Sequence, residues 1–505
     1  MIARVYSAAL IGYTGELVEV ETDMKQGLPG IHIVGMGNKA VDEARERIRS
    51  AITHSLLEVP PRKFVINLAP AELPKDGAHF DVALAVSLLV ASGQLHQHEV
   101  DTALFAGEVS LDGSLKAIHG AVSLAEIARH TRQEYLFLPA PNAPQAALIN
   151  GITVYGVPSL KALFQHLKGI ALLPAAQAPR LESPSPRSDA TLTEISGQDH
   201  AKRALQIAVA GRHNILISGP PGAGKSMLAK AVIELLPPLT PEEQCEVTKI
   251  HSLYGDAITE TITQRPFRAP HHSTTLTALI GGGARPRPGE ISLAHRGVLF
   301  LDELPEYPRP ILESLRQPLE DKTIQLTRAH RRISYPADCM LVATMNPCPC
   351  GYYGDENHEC RCTEYQRQSY QKKLSGPLLD RIDINISVQR VDTKKLIRTN
   401  MLHKEQQSKV LQSIDKATTC QHERYNSSNI YNSSLSTRQV REHITIAPPA
   451  LSLLQTASQR LGLSARAYFK IIKVARTIAD LESSPGVTAA HIAEALQLRN
   501  SIDNS

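Results

Sequence analysis

The stretch Gly219-Pro220-Pro221-Gly222-Ala223-Gly224-Lys225-Ser226 constrains this 505-residue chain more than any other feature. It fits the pattern G-x-x-x-x-G-K-[ST], and its flanks suit it. The apolar run at 213–218 reads as a strand, and 227–236 reads as a helix. Glycines let the backbone turn tightly, so that successive N–H groups can point at phosphate oxygens. The start of the following helix adds the positive end of its dipole. Residues Gly219 to Met227 therefore form a candidate ATP site. In it Lys225 would neutralise charge on the β- and γ-phosphates, and Ser226 would ligate Mg²⁺.

Val298-Leu-Phe-Leu-Asp302-Glu303 supplies the complementary half. A buried apolar strand would carry two acids to its C-terminal edge, where ligands sit in open parallel sheets. Asp302 would hold the Mg²⁺, and Glu303 would act as general base on the attacking water. A further strand, 340–346, ends in Asn346, a polar group able to orient that water. Read alone, such an Asn is an ordinary turn residue. Beside the first two motifs it reads as part of the site.

At this length two to four domains are expected. Residues 1–168 alternate short strands (65–67, 135–139) with helical patterns (41–50, 121–130). Residues 169–190 read as a linker, rich in Pro, Ser and Ala from 174 onward. Residues 191–390 alternate strands with helices, which predicts an α/β core with a parallel sheet. Residues 391–505 read as a helical insertion followed by a small helical lid, with the Asn/Ser tract 426–434 as a loop. No run approaches the roughly 20 apolar residues a membrane helix needs, and the N-terminus lacks a leader pattern. A cytoplasmic protein without membrane partners is expected. The net charge of +4 excludes a general basic coat for nucleic acid, so any such contact must be a local patch.

Two stretches offer further chemistry. Residues 322–338 read as a β-hairpin with a cationic tip carrying Arg328, Arg331 and Arg332, which suits phosphate contact as well as an ordinary solvated surface. Four of the seven cysteines fall at Cys348, Cys350, Cys360 and Cys362. The spacing C-x-C-x₉-C-x-C suits tetrahedral Zn²⁺ in a reducing compartment, as a knuckle spanning 346–364. It is tighter than the usual C-x₂-C, His358 could replace one thiolate, and an iron–sulfur cluster or no metal at all remain alternatives. The adjacent His271 and His272 bring no complete ligand set, so no metal site is expected there.

The set GPPGAGKS, LFLDE, ATMNPCPCG, SGPLLDRIDI and SARAYFKIIKVARTIADLE resembles AAA+ ATPases of the magnesium-chelatase-like branch. In detail it resembles the ComM family, also called YifB, and the likeness spans nearly the whole chain. That resemblance implies a homo-hexameric, ATP-driven helicase. It would promote branch migration on single-stranded or branched DNA during homologous recombination in natural transformation, alongside recombination proteins. It casts Arg381 as an arginine finger reaching a neighbouring subunit's ATP, where a salt bridge to Asp380 or Asp383 is the competing role. It casts Arg466 as the sensor-2 arginine of the helical lid, with Arg476 as its rival. It gives residues 1–168 an α+β domain like that of Lon protease (ribosomal S5 domain 2-like). Here Leu73-Pro-Lys-Asp-Gly77 runs into Ala78-His79-Phe80 with no serine, and Val122 stands where the Lon lysine would be. Lys116 lies nearby without a serine partner, so no peptidase is expected. A magnesium-chelatase-like remodeller of proteins or metal complexes shares this core and is the main rival reading.

Overall fold

The computed structural model describes residues 2–35, 38–73, 75, 77–179, 195, 197–254, 260–283, 286–328, 331–355, 358–390 and 402–499. The N-terminal sheet has seven strands in the order Gly30–Val34, Lys63–Ala69, Thr14–Lys25, Ile2–Ile11, Ala103–Phe105, Tyr135–Pro139 and Thr153–Val157. The long pair Ile2–Ile11 and Thr14–Lys25 is antiparallel, whereas the strands from Ala103 onward run parallel to Ile2–Ile11. Alternation sets the faces: Phe64, Ile66 and Leu68 point inward from Lys63–Ala69. Helix Asp81–Ala91 is apolar all round, and nine of its eleven residues are buried, so it lies inside this half rather than on it.

Past Leu167 the chain stays tethered to the same sheet, with Ala176 N donating to Val154 O at 2.7 Å. Half of the predicted linker, residues 180–190, lies outside the described residues. Val122 is buried in the core, and His79 Nε2 pairs with Ala8 O at 3.1 Å. Lys116 is exposed on the short strand Leu115–Lys116.

The central sheet is parallel throughout, in the order Phe267–Arg268, Val298–Leu301, Met340–Met345, Ile215–Ser218 and Ile384–Ser387. Strands Val298–Leu301 and Met340–Met345 are buried along their whole length, as expected of a sheet covered on both faces. The C-terminal helices Leu402–Tyr425, Pro448–Leu461, Ala465–Leu481 and Ala489–Gln497 pack into the same hydrophobic core as the sheet, which runs unbroken from Ile215 and Val298 to Ile478 and Leu498. Just before strand Ile215–Ser218, which leads into Gly219, His213 Nε2 meets Thr477 Oγ1 at 2.8 Å, and Asp383 pairs with Lys470 at 2.6 Å. The C-terminal helices are thus fastened where the sheet's strands begin. The Asn/Ser tract is more than a loop, because Asn432 is buried. Its amide donates to Thr477 Oγ1 (3.0 Å) and Asp480 Oδ2 (2.8 Å), which satisfies a polar group that burial would otherwise penalise.

The expected hairpin forms from Thr323–Arg328 and Arg331–Pro336, in register from Thr323 opposite Pro336 to Arg328 opposite Arg331. Ile324, Ile333 and Tyr335 are buried and Arg332 is exposed. Residues 329–330 and the side chains of Arg328 and Arg331 lie outside the described residues. The buried arm rests on the N-terminal sheet at Gly12, whose φ is +61°. A Cβ there would stand 2.1 Å from Ile333 Cγ2. Among the described residues, no helix is long and apolar enough to cross a membrane.

Candidate nucleotide site and cysteine cluster

Three strands of the central sheet end side by side. Ser218 pairs with Met345 and Leu301 with Ala343, so Gly219, Asp302 and Asn346 all emerge from one edge. The phosphate-binding turn needs its glycines. Gly222 and Gly224 take φ of +78° and +81°, and a Cβ on Gly219 would stand 2.4 Å from Val388 O.

Lys225 Nζ donates to Gly219 O (2.6 Å), Pro220 O (3.0 Å) and Asn346 Oδ1 (3.0 Å). Burial pulls this ammonium's pKa down, while the charges of Asp302 and Glu303 act in the opposite direction. An ammonium held by neutral carbonyls in a partly desolvated loop gains when an anionic phosphate replaces them. Ser226 Oγ donates to Asp302 Oδ2 at 3.4 Å, so the two candidate Mg²⁺ ligands face each other. Met227 is half-exposed at the start of helix Lys225–Leu235.

Sequence reasoning missed Thr344. Its hydroxyl donates to Asp302 Oδ1 and accepts from Glu303 N at 3.0 Å, so one buried side chain fixes both acids. The only signal was a hydroxyl inside an otherwise apolar strand. Glu303 itself sits at φ +51°, ψ +54°, a left-handed conformation unfavourable for a residue with a Cβ and found mostly where function demands it.

Arg381 and Arg466 lie together, away from this edge. Arg381 is at the opposite end of the sheet: Asn214, just before strand Ile215–Ser218, donates from Nδ2 to Arg381 O at 3.2 Å. The four residues Ile215–Ser218, roughly 13 Å of strand, separate that end from Gly219. Arg381 and Arg466 both pair with the exposed carboxylate of Glu320. Arg381 does not use its neighbouring acids, since Asp380 pairs with Arg499 at 3.4 Å and Asp383 with Lys470. Arg476 is buried, with Asp480 at 2.6 Å and the carbonyls of Ser484 and Pro485 as partners, which gives it a structural role.

The four clustered cysteines converge, with all Sγ atoms within 4.8 Å of one another. Cys348 Sγ stands 3.3 Å from Cys350 Sγ and 3.6 Å from Cys360 Sγ, and Cys350 Sγ stands 3.7 Å from Cys360 Sγ. Tetrahedral Zn²⁺ with bonds of about 2.3 Å places its sulfurs about 3.8 Å apart, so these residues fit a Cys₄ zinc site. Among the described residues this is the one group of Cys, His and carboxylates close enough to hold a metal. The rings of His271 and His272 lie with centroids 3.9 Å apart, tilted by 37°, and His271 Nδ1 meets Ser273 Oγ at 2.8 Å. Arg268 forms a bidentate pair with Glu290 at 2.6 and 2.7 Å.

Three family profiles match the chain: "Subunit ChlI of Mg-chelatase" over residues 20–142, "Magnesium chelatase, subunit ChlI" over 191–396 and "Magnesium chelatase, subunit ChlI C-terminal" over 404–499. Competence protein ComM of Haemophilus influenzae is 41% identical over 99% of this chain and 97% of its own. YifB of Escherichia coli is 40% identical over 99% and 97% of the two chains. The magnesium-chelatase 67 kDa subunit of Heliobacterium mobile is 30% identical, but over only 31% of this chain and 28% of its own. With full-length likeness to ComM and YifB and all three magnesium-chelatase profiles in order, the chain belongs to the ComM/YifB-type, magnesium-chelatase-like AAA+ family.

Proposed function

We propose that this protein is a hexameric, ATP-driven DNA helicase or translocase that promotes branch migration while incoming DNA is recombined in the cytoplasm. The observation that carries the reading is the separation of the two halves of the catalytic apparatus. Lys225, Ser226, Asp302, Glu303 and Asn346 gather at one end of the central sheet, and Arg381 with Arg466 stands at the other. That separation supports head-to-tail packing of identical subunits, in which Arg381 and Arg466 complete a neighbour's site. In this reading both arginines act on the neighbour's γ-phosphate and exchange Glu320 for it. Lys225, Ser226 and Asp302 hold Mg²⁺–ATP, Glu303 activates water, and Asn346 orients it.

The hairpin carrying Arg328, Arg331 and Arg332 is the element proposed to touch DNA phosphates. Residues 1–168 act as a Lon-like domain without peptidase chemistry, joined through the linker 169–190 to the ATPase core 191–390. That core contains the zinc knuckle 346–364, and residues 391–505 complete the helical insertion and lid. The name of the Haemophilus influenzae relative supports a role in competence. A magnesium-chelatase-like remodeller is the second reading, favoured by the profiles but weakened by the short span shared with the chelatase subunit.

ATPase rates with and without single-stranded and branched DNA test the choice. Stimulation by DNA supports the motor, and indifference supports the remodeller. Neutralising Arg328, Arg331 and Arg332 should also flatten the salt dependence of single-strand binding by about 0.7 per lost phosphate contact.

A further inference from the structure

The cysteine cluster is built onto the phosphate-binding loop, and the join is made at Pro221. The carbonyl of Pro221 accepts from Arg390 Nε at 3.0 Å. Its ring lies against Gly351, the residue after Cys350, where a Cβ would stand 2.8 Å from both Pro221 Cγ and Cδ. Gly351 has φ of +86°, and its N–H donates to Cys348 O at 3.0 Å, so the turn from Cys348 to Gly351 is shaped to receive the proline. On the other side of the loop, Asn346 stands two residues before Cys348 and accepts from Lys225. The nucleotide loop is therefore held from two sides by residues adjoining the cluster.

Arg390 ties the loop to the rest of the knuckle. Its guanidinium meets His358 Nδ1 at 3.1 Å and the carboxylate of Asp355 at 3.4 Å, and it lies 5.6 Å from the ring centroid of Tyr352. Tyr352 in turn stacks on His358 with centroids 4.9 Å apart. All three partners belong to the segment between the two cysteine pairs. Holding the pairs together is what closes that segment, and an open segment of this length would lose its conformation to chain entropy. A glycine-rich loop has much freedom to lose on binding phosphate, and a loop already held in place loses less.

We propose that the cysteine cluster and Arg390 form a brace for the phosphate-binding loop, so that zinc held by Cys348, Cys350, Cys360 and Cys362 sets the affinity for nucleotide. Arg390 is a positioning residue in this scheme, acting on phosphate through Pro221. The scheme rests on the nucleotide site described above. It adds a link between metal occupancy and that site, independent of any DNA contact.

The test uses the full-length chain. Binding of a fluorescent Mg²⁺–ADP analogue is measured beside zinc content by elemental analysis in wild type, R390A, C360S/C362S and the triple variant. Wild type is expected to carry about one zinc per chain. C360S/C362S should lose the zinc and bind ADP about tenfold more weakly, and R390A should keep the zinc yet weaken ADP about tenfold. The triple variant should bind no more weakly than C360S/C362S, because Arg390 has no knuckle left to act through. Wild-type ADP affinity in R390A or in the zinc-free protein overturns the brace, as do losses that add in the triple variant or a wild type without zinc. If C360S/C362S does not fold, R390A decides alone, with circular dichroism showing that it is folded. A zinc-bearing wild type that binds no ADP overturns the nucleotide-site reading itself, an outcome distinct from failure of the brace.

Discussion

Replacing Thr344 by valine isolates one hydroxyl at the centre of the nucleotide site. Valine keeps the volume and branching, and the strand Met340–Met345 is buried throughout, so packing changes little. Two hydrogen bonds vanish, one to the Asp302 carboxylate and one from the Glu303 N–H. A bond to a charged group is worth about 1.5–3 kcal/mol, and an unpaired buried N–H costs about 1–3 kcal/mol. Both acids are exposed, so water recovers part of this and about 1.5–3 kcal/mol is the expected net effect. Glu303 also occupies a left-handed conformation that its neighbours must hold, so the loss falls on its placement. The expected outcome is a fall in kcat of about 10- to 100-fold. Affinity for ADP should change by less than about threefold, since Lys225 keeps its contacts. Steady-state ATPase assays paired with ADP titration measure both quantities. A kcat within about twofold of wild type would refute the assignment of Thr344 as the residue that fixes the two acids.

Two further predictions concern the assembly and pH. K225A and R381A should each be inactive alone. An equal mixture, dissociated and reassembled, should recover activity because about one interface in four pairs an intact Lys225 with an intact Arg381; a mixture as inactive as its parts would mean that Arg381 serves its own chain. Burial works against the charge of Glu246, but hydrogen bonds from His295 and Arg296 outweigh it and hold its pKa at about 2. A carboxylate depressed in this way adds stability above its unfolded pKa of about 4.5 and loses it as pH falls toward 2. E246Q should therefore lower the thermal midpoint at pH 7, with the gap to wild type closing below about pH 4.5 in melts run across that range.

Contiguous motifs made much of the site readable in the sequence. The loop 219–226 and the acids at 302–303 are short contiguous runs flanked by strand-like segments, so their spacing predicted an ATP site and the parallel sheet together. Asn346 followed because a strand carrying it had to end beside them. Thr344, Glu320 and Arg390 could not be read this way. Each acts through partners far off in the chain, Thr344 on residue 302, Glu320 on residues 381 and 466, and Arg390 on residue 221. Glu303's left-handed backbone likewise depends on a hydroxyl 41 positions later, since residue type alone argues against it. Arg466 illustrates the same limit from the other side. Its motif marked the residue as special, but the end of the sheet it stands on is decided by how the lid helix packs beside Asp383 and Lys470.

The seat of Ile333 at Gly12 has a mechanical consequence. With 2.1 Å between the missing Cβ and Ile333 Cγ2, the hairpin arm and the N-terminal turn interlock like a tooth in a notch. The hairpin cannot slide along its own length without carrying the N-terminal sheet with it. Force applied to the hairpin beside Arg332 therefore passes down the arm into a seven-stranded body, and that body stiffens the hairpin. A methyl at position 12 would lift the tooth out of its notch and uncouple the hairpin from the N-terminal sheet.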